Sequence, residues 1–409
     1  LVILPFLDYI INNDSGIDNI YILYLLFLTD SALSYFFAYK RSILNADQKA
    51  YICSKYRYIF VSIKSVVQIL FILLFKNFII YLLTQIVFTF LENLFISMKV
   101  NSIYPYLKLN SIKKLSQEKI KSITADVKAL VLSKIANVAL NGTDNIIITA
   151  FTDLKNVGIL SNYTLISGSL TMIISQIYSA ITGSLGNFIA LENNERKVDL
   201  FYTIDFMYFI IYGFCFICMF IIYNPFISYF FGENLIFSNS IVFVFCINYL
   251  IEGMLQSFWS FRTTMGLFVQ GKYRPLIAAV LNVLLSVILG MKLGVFGVLL
   301  GTTFSRLFVN AWYDPYIIFK HGLSCSPKRY YFTYIFRLIH LFIITTILFS
   351  IKLFFFSDCY NSLFDLLLLI GITVVVSISL LIIPYVRSDE FKFFLNLIIN
   401  AYRNKFQIL

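Results

Sequence analysis

The chain has 409 residues, of which 59% are hydrophobic, 18% aromatic and only 13% charged. A soluble domain carries roughly 25% charged residues, so the composition excludes a water-soluble globular protein and implies an exterior solvated by hydrocarbon. The net charge of +11 does not indicate nucleic acid: the Lys and Arg residues sit in short clusters between apolar runs and form no basic face, which suits anionic membrane lipids instead.

A helix that crosses a bilayer needs about 20 apolar residues. Leu1–Ile11 reads as the tail of one such segment, with no signal peptide, so the sequence is expected to begin inside a first lobe. Complete spans are then predicted at Ile20–Tyr39, Tyr58–Phe75, Phe78–Met98, Ala129–Phe151, Val157–Ala190, Phe201–Tyr223, Ser238–Trp259, Pro275–Met291, Val295–Phe319, Tyr334–Phe356 and Leu363–Tyr385. The expected architecture is all-α and polytopic, with about 11 complete spans and a partial first one. The tail Asp389–Phe406 sets Lys392, Arg403 and Lys405 among apolar residues at helical spacing, the pattern of an amphipathic helix on a membrane surface.

Alternate loops differ sharply in charge. One set, including Lys40–Arg57, Lys99–Lys128, Lys320–Arg329 and the C-terminal tail, carries 23 Lys and Arg residues; the opposite set carries only Lys76, Lys155 and Lys292. The richer side is predicted to be cytoplasmic, which puts the C-terminus inside and Asn12–Asp18 outside. The predicted organisation is a truncated first lobe over 1–100, a basic cytoplasmic linker over 101–128, a six-helix second lobe over 129–320, two added helices over 331–385 and a cytoplasmic tail over 386–409. All outside loops are short, the longest being Asn224–Phe237.

An ionisable residue at mid-membrane costs roughly 2.5–3.5 kcal/mol on insertion scales, so it normally faces a partner or a wet cavity. Asp30, Lys64, Glu92, Lys134, Asp144, Glu252 and Arg306 are the candidates. Lys134 and Asp144 share a helix about 15 Å apart, too far to pair but able to edge one cavity at two depths. Asp144 sits in the polar cluster Asn141-Gly142-Thr143-Asp144-Asn145. Arg306 suits bidentate capture of a phosphate, or a structural pair with Glu252. Asp205, Arg262, Asp314 and Arg337 lie nearer the helix ends and are expected to snorkel to the interface. Helix Val157–Ala190 is rich in Ser, Thr, Asn and Gly, which suits close packing and also a passage for a polyhydroxy group. The six cysteines are scattered, and the pair Cys215/Cys218 lies in an apolar run with no second pair. His321 and His340 belong to no catalytic arrangement. No Walker A loop, dinucleotide fingerprint or metal cluster is present in the sequence, so no cofactor is expected and energy is assigned to an H+ or Na+ gradient, the membrane potential or the substrate gradient.

Several stretches then resemble the Wzx/RfbX-type polysaccharide flippases of the multidrug/oligosaccharidyl-lipid/polysaccharide (MOP) exporter superfamily. They are Ser34-Tyr35-Phe36-Phe37-Ala38-Tyr39-Lys40-Arg41 and its continuation to Lys49, Asp144-Asn145-Ile146-Ile147-Ile148, and Gly186-Asn187-Phe188-Ile189-Ala190 with Glu192. The most specific block runs from Phe261-Arg262-Thr263-Thr264-Met265-Gly266 through Lys272-Tyr273-Arg274-Pro275, Asn282, Gly294, Gly297 and Gly301-Thr302-Thr303 to Trp312 and Asp314-Pro315. The resemblance implies a two-lobe helical bundle around a partly cationic cavity, in the cytoplasmic membrane of a bacterium. It implies no enzyme activity, and an undecaprenyl-diphosphate-linked oligosaccharide moved between leaflets by alternating access for O-antigen, capsule or lipopolysaccharide export. Polymerase and glycosyltransferases of the same pathway are the candidate protein partners. It also implies two helices and part of a third ahead of Leu1, without which this chain is not expected to transport. A cation-coupled drug exporter of the same superfamily is the alternative, and a membrane polysaccharide polymerase a more remote one.

Overall fold

The computed structural model describes residues 20–36, 38–47, 49–108, 116–267, 271, 273–355 and 362–395. The predicted half-segment Leu1–Ile11, the outer turn Asn12–Asp18 and the last part of the tail, 396–409, lie outside these. Among the described residues there is no strand. The protein is an all-α, multi-pass membrane protein.

The chain divides into two compact units, one ending at Ser122 and the other beginning at Ile123. The first contains α1 (Ile20–Tyr35), α2 (Ala38–Ala46), α3 (Ala50–Phe75) and α4 (Phe78–Ile103). Helix α4 is its axis, with α3 and α1 packed along it and the short α2 against its last turns. Asn77 caps α4, its side chain accepting from the Ile79 amide, and Lys76 ends α3 in the left-handed region at φ 48°. The apolar centre where α2, α3 and α4 meet is Leu44, Ile52, Ile96 and Val100. Outward faces of α3 are lined by apolar side chains such as Ile69, Leu73 and Leu74, exposed as lipid contact requires.

The second unit contains α5 (Gln117–Phe151, from Ile123 on), α6 (Leu154–Leu191), α7 (Asn194–Phe231), α8 (Asn239–Met254), α9 (Gln256–Thr264), α10 (Arg274–Ser305), α11 (Ala311–Ile317), α12 (Lys328–Phe355) and α13 (Leu363–Ile382). Helix α7 is central, touched by α8, α9, α12 and α13. It is hydrophobic on all sides, as a helix surrounded by others must be. At one end Phe201 packs its ring at 5.1 Å from each of Phe258, Phe261 and Phe319. The two added helices belong to this core: Leu341 and Leu369 are 1% and 2% exposed.

The described residues of the predicted spans are helical, but Ile20–Tyr39 is split between α1, which ends at Tyr35, and α2, which starts at Ala38, and Ser238–Trp259 is split at Leu255. There are three further differences. Helix α5 starts at Gln117, well ahead of the predicted Ala129, because Gln117–Lys128 contains no Gly or Pro to stop a helix and apolarity marks only the part within the bilayer. Helix α7 likewise extends beyond Phe201–Tyr223 at both ends and contains Pro225. The stretch Arg274–Gly322, 49 residues long, supplies two crossings because it turns back at Gly294, whose φ of 58° and ψ of −137° glycine adopts at little cost.

One expectation is overturned. Asp205, Arg262, Asp314 and Arg337 do not snorkel. Asp205 and Arg337 are 2% and 3% exposed and pair at 2.5 Å, with Ser257 donating to the other carboxylate oxygen and the guanidinium lying over the rings of Phe206 and Phe209. Asp314 is paired with Arg274, and Arg262 lies 3.8 Å from its second oxygen. Two buried charges that neutralise each other need not reach the interface, and sequence position near a helix end cannot reveal a partner 40 or 132 residues away.

Candidate functional site

The site grows from the hairpin made by the two arms of α10. A Cβ placed on Gly297 would stand 2.1 Å from the Leu289 carbonyl oxygen, and one on Gly301 would stand 2.5 Å from the Ser286 amide nitrogen. Glycine therefore lets the two backbones touch. The arms are then cross-linked: Ser286 Oγ donates to the Val298 carbonyl at 3.1 Å and Asn282 Nδ2 donates to Thr302 Oγ1 at 2.9 Å. Asn282 and Ser286 are wholly buried.

Helix α5 brings Asp144 to this seam, where its Oδ2 accepts from Thr302 Oγ1 at 2.8 Å. Asp144 Oδ1 and Asn282 Oδ1 are buried and accept from no donor among the described residues. Leaving a buried acceptor unpaired costs about 1–3 kcal/mol, so these two oxygens are the positions of the seam where a further donor would be most favourable.

The next residue along, Thr303, opens the second half of the network. Its Oγ1 donates to Asn248 Oδ1 at 3.1 Å, while Asn248 Nδ2 donates to the Leu299 carbonyl at 2.9 Å. Asn248 and Glu252 are four apart on α8 and share a face. Arg306 spans both: Nη1 donates to the Asn248 carbonyl at 2.7 Å and Nη2 reaches Glu252 Oε2 at 3.0 Å. Arg306 begins a π turn over Arg306–Asn310, closed by the Ala311 amide bonding back to its carbonyl. Such single π turns re-aim side chains and recur at functional positions. The pairing of Arg306 with Glu252 is thus formed in the structure.

Asp144, Glu252 and Arg306 are therefore brought into one network. Lys134 is in the same helix as Asp144, but its side chain lies outside the described residues. Asp30, Lys64 and Glu92 belong to the first unit and are placed separately there. Asp30 Oδ2 accepts from Gln85 at 2.7 Å, Glu92 pairs with Arg41 at 2.7 Å, and half-buried Lys64 makes no hydrogen bond or ion pair among the described residues. Lys40 and Arg41, counted as loop charges, are instead turned onto α4, where Lys40 is 8% exposed and bonds Ser97 at 2.6 Å. Sequence reading missed Asn248 and Ser286. Their signal was faint: each lies four residues from another polar residue of the network, Glu252 and Asn282, on one helix face.

No family model and no curated protein matches the chain. A solved structure of the lipid II flippase MurJ in an inward closed conformation does match, with a TM-score of 0.59 and 17% identity over 88% of this chain and 74% of that one. The chain has a MurJ-like fold. The all-α, multi-span fold expected from the sequence is the fold found. At 17% identity the likeness extends to the path of the chain and not to the roles of side chains.

The five cysteines among the described residues are free, with Cys215 and Cys246 buried in the apolar core. His340 Nδ1 lies 3.3 Å from the Tyr385 hydroxyl and joins α12 to the turn after α13. No group of three or more His, Cys, Asp or Glu among the described residues is placed to hold a metal ion.

Proposed function

We propose that this protein flips an undecaprenyl-diphosphate-linked oligosaccharide across a bacterial cytoplasmic membrane, as a Wzx-type transporter supplying surface polysaccharide. The observation that carries this reading is the MurJ-like fold over 88% of the chain, a neighbour whose own described activity is on a lipid-linked molecule. The C-terminus and the 23-charge loops face the cytoplasm in this reading. Polymerase and glycosyltransferases of the pathway are its proposed neighbours.

The polar seam supplies a mechanism. Arg306 is mostly covered, while its partner Glu252 is 42% exposed. An arriving diphosphate displaces Glu252 and takes over the hydrogen bond from Arg306 Nη2, so the charge on Arg306 never stands unpaired. Lys134 is the proposed second contact to the diphosphate. Asp144 is the coupling group: with Thr302 Oγ1, which it accepts from, and Asn282 beyond that hydroxyl, it offers a polar place for a proton or a sodium ion. Because Thr302 and Thr303 are adjacent, ion arrival at Asp144 and substrate arrival at Arg306 pull on the same turn of α10. Asp30, Glu92 and Lys64 are assigned to substrate contact from the first unit.

Export of polymer by a flippase-deficient strain carrying Arg306→Ala tests the reading. Loss of export with the protein still inserted in the membrane supports it; normal export removes Arg306 from the mechanism. A cation-coupled drug exporter is the second reading, favoured by the unpaired Oδ1 of Asp144. It predicts resistance to cationic dyes, unaffected by loss of the sugar pathway.

A further inference from the structure

At the end of α7 remote from the aromatic cluster around Phe201, a second polar feature lies apart from the Arg306 network. Pro225 sits within α7 and has no amide to give the Ile221 carbonyl, so the helix loosens there. The helix ends at Phe231, and Gly232 caps it at a φ of 105°. A tight turn over Glu233–Leu235 then leads to Ser238 and the start of α8. These elements, with the last turn of α12, enclose a cleft of about 560 Å³ lined by Asn224, Ser228, Glu233, Asn234, Asn239 and Lys352 among others.

The cleft is built on a fixed frame. Tyr163, 1% exposed, donates its hydroxyl to Asn224 Oδ1 at 2.7 Å and accepts the Phe237 amide at 2.9 Å. Asn224 Nδ2 in turn donates to the Phe237 carbonyl at 2.9 Å and to Asn239 Oδ1 at 3.0 Å. The turn is therefore tied to α6 and α7 whatever occupies the cleft. Lys352 lies in its wall at 5% exposure, its ammonium 5.9 Å from the centre of the Phe349 ring.

Its chemistry selects a class of ligand. One cation and one carboxylate leave the wall neutral overall, which disfavours a diphosphate or an acidic lipid head group. Amides, hydroxyls and the two charges supply donors and acceptors in alternation, matching the hydroxyl groups of a sugar. The volume falls within the ~300–1,000 Å³ of small-molecule pockets and holds a short saccharide. By the loop charges this is the outer end of the bundle.

We propose that this cleft is a saccharide-binding site at the outer mouth, engaging sugar residues of the repeat unit through Asn234, Glu233 and Lys352. This rests on the flippase reading for the sugar's origin, though not for the binding itself. The test uses the protein in lipid nanodiscs and saturation-transfer NMR with free galactose, rhamnose and N-acetylglucosamine, and inorganic diphosphate as the anionic arm. Asn234→Trp fills the cleft from an exposed position, and Glu233→Gln removes its carboxylate. At least one sugar should give a signal that falls about tenfold in both variants, as expected for the loss of one good polar contact, while diphosphate neither binds there nor competes. The proposal is overturned if no sugar gives a signal above empty nanodiscs, if the signal survives both variants, or if diphosphate displaces it. No transport is needed for the readout, so a negative result leaves the flippase reading standing, and failure of that reading in the Arg306→Ala export assay leaves sugar binding measurable.

Discussion

Arg306 holds Glu252 at 3.0 Å, yet the two side chains are unequally covered, with 11% of the arginine and 42% of the glutamate exposed. The anion is therefore the member of the pair that can be exchanged. Removing its charge in Glu252→Gln should lower the half-saturating concentration of a lipid diphosphate severalfold. Arg306→Gln should raise it by about tenfold or more, since a charged hydrogen bond contributes about 1.5–3 kcal/mol. Uptake of a fluorescent lipid diphosphate by proteoliposomes reads both. Shifts in the same direction for the two variants would refute the exchange.

The hairpin of α10 depends on backbone contact. In Gly301→Ala the new methyl meets the Ser286 backbone at 2.5 Å, so the arms must separate and carry Thr302 away from Asp144. A loss of about 1–3 kcal/mol is expected from overpacking, with transport impaired more than stability. Gly158→Ala, where nothing lies within 4 Å of the added carbon, is the control and should be neutral or slightly stabilising. Thermal unfolding in detergent beside a transport assay separates the two effects.

The Asp205–Arg337 pair joins α7 to the added helix α12 inside the core. Cutting one partner leaves a buried charge alone. Arg337→Met should therefore cost about 3–5 kcal/mol, while the double replacement Asp205→Leu with Arg337→Met should recover most of it. If the single and double variants unfold at the same temperature, the pair is not what holds α12 in place.

Asp144 is assigned to coupling, so Asp144→Asn should abolish any dependence of transport on a sodium or proton gradient while leaving gradient-independent exchange of substrate. Transport measured with each gradient imposed and then collapsed decides this. Retained ion dependence in Asp144→Asn would move the coupling group elsewhere.

Outside the spans, Asp47 pairs with Lys49 at 2.6 Å and accepts from Tyr104 at 2.5 Å, and these bonds, the lysine's first, hold its carboxyl below the ordinary value of 3.8. The carboxylate is favoured when folded, so its contribution to stability is present above the ordinary carboxylate range and fades as pH falls through the depressed folded value. In Tyr104→Phe one donor is lost, and carboxyl-carbon NMR should find Asp47 titrating closer to 3.8. An unchanged titration would mean the phenol contributes nothing.

The sequence alone determined the class of protein and the path of its helices. Hydrocarbon around the chain forces backbone hydrogen bonds inside each segment, so apolar length reads directly as helix. The turn at Gly294 fell between two predicted spans for the same reason. The charges Asp144, Glu252 and Arg306 also stood out, because an ionisable residue among apolar ones is conspicuous in one dimension.

What the sequence could not contain was which of these meet. Arg306 finds Glu252 54 residues away and Arg337 finds Asp205 132 residues away, and these partnerships exist only once helices pack side by side. Asn248 and Ser286, ordinary polar residues in an apolar run, become part of the network for the same reason. Tertiary structure also reversed the reading of Asp205 and Arg337: charge near a helix end suggests water, and only the neighbouring helix shows that the charge is already neutralised in the core.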